Sequence, residues 1–123
     1  MQRARRPTFL NFARIRFPVG AVASIGHRIS GLMLVCALPV AVLALERSLS
    51  GEAAFSAFLE KLQSPMGRVA LVVLAWASAH HLFAGIRHLL MDVGIGAELP
   101  AARASAYAAL GAAALVAVAA LLA

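Results

Sequence analysis

The run Ile29–Leu45, ISGLMLVCALPVAVLAL, holds 17 residues without Asp, Glu, Lys or Arg. A helix rising about 1.5 Å per residue needs roughly 20 residues to cross about 30 Å of hydrocarbon. Extended back through Gly20–Arg28, this run reaches that length with its polar groups gathered at one end. Val69–Ile86 and Ala104–Ala123 are likewise free of charge, and the former lengthens through His88–Met91. The reading is an all-α integral membrane bundle of three transmembrane helices at about 20–46, 66–92 and 102–122, part of a larger hetero-oligomeric helical bundle. Residues 1–19 form a cytoplasmic or interfacial N-terminal segment, and 20–123 the three-helix transmembrane domain.

Composition agrees. Of 123 residues, 63% are hydrophobic and 13% charged, with mean hydropathy +0.89, whereas soluble domains run at roughly half apolar and a quarter charged. So short a chain cannot bury that much apolar surface, so much of it must face lipid or a partner. The net charge of +6 is not read as a nucleic-acid footprint, because the basic residues flank apolar runs and form no polar face. Cys36, the single cysteine, lies within a span and reads as a small buried apolar residue.

Pro39 falls inside the first span, where a local kink is expected. The third span, rich in Ala, Leu and Val, reads as a packing helix. The first span is not expected to be cleaved as a signal peptide, since its basic lead-in is too long and no small-residue cleavage site follows. Eight arginines (3, 5, 6, 14, 16, 28, 87 and 103) lie at one set of span ends, against Arg47, Lys61 and Arg68 at the other. The N-terminus is therefore expected in the cytoplasm and the C-terminus in the periplasm, in an inner, or plasma, membrane. Between Pro7 and Pro18, PTFLNFARIRFP suits a short amphipathic segment on the membrane surface or a contact with a soluble partner.

Ionisable groups inside a span mark a ligand, a pathway or a paired site. The first cluster is SIGHRISG, Ser24–Gly31, where Ser24, His27, Arg28 and Gly31 share a broad helical face. A hydroxyl and a guanidinium one turn apart suit a polar ring substituent. The second is AHHLFAGIRHLLMD, Ala79–Asp92. The stripe through His81 includes Ala77, Ser78, Ala84 and Gly85, small neighbours that admit a flat macrocycle to an imidazole. His80 points about 100° away, among Trp76, Phe83 and Arg87, so the stripe favours His81 as a haem ligand. His88 lies nearer the interface, suiting a propionate or quinone contact, and Arg87 is expected to serve the bound redox group beside it. His27 is expected level with His88, with His81 about two turns deeper, which places a second axial ligand on another subunit. No Cys/His/carboxylate set has zinc spacing.

Together Arg6-Pro7, the RFP of Arg16–Pro18, SIGHRISG and the HxxxGIRHLxxD of His81–Asp92 resemble the cytochrome b subunit of succinate dehydrogenase, a membrane anchor of bacterial-type respiratory complex II. The resemblance covers roughly residues 6–92. It implies that His81, four before the glycine of GIRH, is the axial ligand to haem b iron. It further implies that Ser24 and Arg28 contact ubiquinone, and that His27 lies beside the haem propionates and the quinone pocket. The implied partners are a second membrane anchor subunit supplying the other haem histidine, an iron–sulfur subunit and a flavoprotein subunit, besides membrane lipid and without nucleic acid. The chain would then anchor the complex and carry electrons from succinate toward quinone in the respiratory chain and tricarboxylic acid cycle, with no dehydrogenase site of its own. Two positions depart from the family's pattern: Gly26, where a larger residue often stands, and the doubled His80–His81. The near alternative is a fumarate reductase-type anchor working with menaquinone. The alternative of a different class is a haem-free transporter or assembly scaffold subunit, which would place ionisable groups near mid-span.

Overall fold

The computed structural model describes residues 16–123. Most of the amphipathic segment expected from Pro7 lies outside the described residues. Four helices follow in order: α1 (Val19–Ser48), α2 (Glu52–Gln63), α3 (Pro65–Asp92) and α4 (Leu99–Leu122). α1, α3 and α4 are each long and apolar enough to cross a membrane, and they coincide with the three expected spans to within a few residues. The protein is a multi-pass membrane helical bundle.

Local chemistry sets the boundaries. Pro18, extended at φ −64° and ψ 151°, precedes α1, and its carbonyl accepts from the Ala21 and Val22 amides. α1 continues through Pro39, which is exposed and withholds one amide from the helical ladder. Gly51 turns the chain at φ 148°, a conformation closed to other residues. At the head of α3 the Ser64 hydroxyl accepts from the Gly67 amide at 3.1 Å, with Pro65 in the first turn, two strong start signals. Gly94 and Gly96, at φ 85° and 69°, form the turn into α4.

The unexpected element is α2, EAAFSAFLEKLQ. At 12 residues it is too short to span, and its Phe55, Phe58, Leu59 and Leu62 recur at helical spacing. The charges Glu52, Glu60 and Lys61 mask it in a search for uncharged runs.

α3 packs between α1 and α4. The core is made of small residues: Ala23 from α1, Ala77 and Ala84 from α3, and Ala106, Ala109 and Ala113 from α4 are all buried. Small side chains let helix backbones approach closely in lipid, where dispersion and hydrogen bonding, rather than exclusion of water, hold helices together. Large apolar side chains such as Leu32, Val35, Leu38 and Leu115 face outward.

One polar clamp joins α3 to α4. Buried Arg87 donates from Nε to the Ser105 hydroxyl and from Nη2 to the Ala102 carbonyl, both at 3.1 Å. The Ser105 hydroxyl in turn donates to the same carbonyl at 3.2 Å. Hydrogen bonds to a charged donor contribute roughly 1.5–3 kcal/mol each. Arg87→Met should therefore lower the unfolding free energy in detergent by about 2 kcal/mol or more and speed hydrogen exchange of the first turns of α4. Unchanged exchange there would show that the clamp does not hold α4.

Candidate functional site

The polar cluster forms where the first turns of α1 meet the last turns of α3. His27 inserts opposite Gly85, where an added Cβ would fall 3.2 Å from its Nε2. Its ring stacks on His81 with centroids 4.2 Å apart and planes 12° from parallel, and lies 5.3 Å from His88 at 57°. Gly85 is four residues after His81 and three before His88, so the His27 ring enters α3 between the levels of those two histidines. It is thus between the two rings, not level with His88, and the His81 ring, with its centroid 4.2 Å away, is less than one turn deeper instead of two.

His81 is half-buried, with Nδ1 3.1 Å from the His27 carbonyl and 3.4 Å from the Ser30 hydroxyl oxygen. A carbonyl only accepts, so Nδ1 carries the hydrogen and donates it, leaving Nε2 as a bare lone pair. Anchoring one imidazole nitrogen on a carbonyl is how proteins orient a metal-ligating histidine. Gly31 makes the approach feasible: a Cβ there would come within 2.8 Å of His81 Cε1.

His80 differs on each count. It is fully buried, stacked on Trp76 with centroids 5.4 Å apart, and its Nε2 donates to the Ala23 carbonyl at 3.3 Å. That bond puts the remaining lone pair on Nδ1, which is buried and has no hydrogen-bond partner. There is no space beside this ring for a planar ligand. Ala77 and Ala84, read from the sequence as neighbours of His81, belong to the same buried stripe as His80 and Arg87. At three and four residues from either histidine they are compatible with both stripes, and burial assigns them to His80. His81 instead shares its side of α3 with Gly85 and His88.

Ser24 is half-buried one turn before His27, and Arg28 is exposed. The structure therefore brings His27, His81 and His88 together and leaves the Arg28 guanidinium on the outer surface of α1. Arg87 departs from expectation: its guanidinium turns away from the histidines to α4. The residue missed from sequence is Ser30, fully buried behind His81. Its signal is the serine three residues after His27, a spacing at which hydroxyls bond back to their own helix.

Gly26 and His80 meet in one contact. A Cβ on Gly26 would fall 2.5 Å from His80 Nε2, so the glycine vacates the space that the extra histidine fills. Gly26→Ala should lower the stability of the bundle, and His80→Ala should remove most of that penalty. Additive effects in the double-mutant cycle would refute the pairing.

The family model described as "Succinate dehydrogenase/Fumarate reductase transmembrane subunit" matches residues 2–121. The chain is 39% identical over 105 residues to the succinate dehydrogenase cytochrome b556 subunit of Coxiella burnetii (strain RSA 493 / Nine Mile phase I), covering 85% of this chain and 84% of that one. It is 32% identical over 108 residues to the succinate dehydrogenase cytochrome b556 subunit of Paracoccus denitrificans, covering 88% and 83%.

Proposed function

This chain belongs to the succinate dehydrogenase/fumarate reductase transmembrane subunit family, and on that premise we propose that it is the membrane-anchoring haem b subunit of a succinate:quinone oxidoreductase. The observation that carries the haem reading is the hydrogen bond from His81 Nδ1 to the His27 carbonyl. It leaves Nε2 bare on a half-buried ring bordered by Gly31, a donor that would hold the iron of a haem. When bound, haem b would supply a one-electron carrier.

The chain's own residues then divide the work. His81 would hold the iron, its ring orientation kept by the anchored Nδ1–H. His27 and His88, stacked or tilted on the same cluster, receive the propionates. His27, whose ring lies face to face with that of His81, would not be a second holder of the iron. The second ligand therefore comes from another anchor subunit. Ser24 and Arg28 hydrogen-bond a carbonyl of ubiquinone, and the guanidinium stabilises negative charge that develops on reduction in a low-dielectric site. Exposure of Arg28 suits a pocket closed by the partner subunits. Succinate oxidation belongs to the flavoprotein and iron–sulfur subunits, since this chain carries no dinucleotide fingerprint and no cysteine set for a cluster. The N-terminus lies in the cytoplasm and the C-terminus in the periplasm, which sets the histidine cluster near the cytoplasmic surface.

Two measurements test this. His81→Ala should abolish or shift the b-type reduced-minus-oxidised spectrum of the purified complex while His80→Ala retains it, and the reverse pattern overturns the ligand assignment. Arg28→Leu should lower quinone reductase activity at least tenfold, the effect of about 1.4 kcal/mol in the barrier, while succinate oxidation by a soluble dye stays near wild type. Equal loss of both would remove Arg28 from the quinone site.

A further inference from the structure

We propose that Ser30 is a positioning residue for the haem-ligating imidazole, holding the ring of His81 and keeping the reduction potential of the bound haem low. The inference rests on the reading of His81 as the axial ligand. It starts from a buried hydroxyl with no other assigned task. Ser30 is fully buried, donates to the His27 carbonyl at 2.9 Å, and has its oxygen 3.4 Å from His81 Nδ1. Its one hydrogen is committed to the carbonyl, so only lone pairs remain to face the imidazole. The Nδ1–H of His81 is therefore shared between two acceptors on one turn of α1, the His27 carbonyl at 3.1 Å and Ser30 Oγ.

A three-centre bond of this kind does two things. It brackets the ring, so rotation of the imidazole about its long axis lengthens one contact or the other. It also draws the Nδ1 proton outward, which raises the basicity of Nε2 and favours ferric over ferrous iron. An opposing effect exists, since the Ser30 hydroxyl also donates to the carbonyl and so weakens it as an acceptor. Cooperative adjustment of that sort amounts to about 10–30% of one bond, whereas removing the hydroxyl deletes an acceptor outright. Loss of the acceptor decides the sign.

The test is an optical redox titration of the haem in the whole purified complex, with low-temperature electron paramagnetic resonance as a second readout of ring orientation. Ser30→Ala should retain haem, shift the ferric low-spin signal, and change the reduction equilibrium about threefold toward ferrous iron, roughly +30 mV at 59 mV per decade for one electron. Ser30→Cys keeps the side-chain bulk but offers only a weak acceptor, and it should shift in the same direction. Wild-type values in both variants, a negative shift, or a shift in the alanine variant alone would overturn the proposal, the last by assigning the effect to packing. If Ser30→Ala fails to assemble, Ser30→Cys decides by itself, a positive shift supporting the proposal and no shift sinking it. His81→Ala separates the underlying reading: a complex that keeps its haem without His81 sinks that reading whatever Ser30 does.

Discussion

An imidazole can reach the backbone of a neighbouring helix only where that helix lacks a Cβ, and this steric condition governs the junction of α1 and α3. Gly26, Gly31 and Gly85 meet it in turn, accepting the rings of His80, His81 and His27. The contacts are reciprocal, with α3 imidazoles over α1 glycines and an α1 imidazole over an α3 glycine. They bring Nδ1 of His81 to a main-chain carbonyl whose position is fixed by the helix itself. Orientation of the candidate ligand is thus a consequence of backbone proximity and does not depend on a flexible side chain.

The spans were legible because bilayer thickness imposes a length and an absence of charge, which a single sequence displays directly. α2 was not, since an amphipathic segment of 12 residues carries the charges that such a search excludes. Within α3 the helical period could order His80 and His81 about the axis but could not choose which of them faced the bundle interior, because Ala77 and Ala84 lie three or four residues from both. Burial makes that choice. The role of Arg87 failed for a related reason: its acceptors, Ser105 and the Ala102 carbonyl, are on α4, and nothing local to GIRH points to them. Ser30 was invisible as more than a helical serine until α3 was placed beside it.

The alanine-built core has a further effect on the assembly. Helices this thin bury little side-chain volume against one another, and the large apolar residues of α1 remain outside. Hydrogen bonds therefore carry an unusual share of the specificity inside the chain. Arg87 ties α3 to α4, and the bonds from His80 and His81 to α1 carbonyls tie α3 to α1.

The contact between Gly26 and His80 bears on how such a chain can be recombined. Each residue is a permissible neighbour only for the other: an ordinary side chain at position 26 meets an imidazole already in place, and a smaller residue at position 80 leaves a void under the glycine. Exchange of a single helix with a relative that has one histidine and a bulkier partner would join two mismatched halves. Positions 26 and 80, 54 residues apart in the chain, have to be exchanged together.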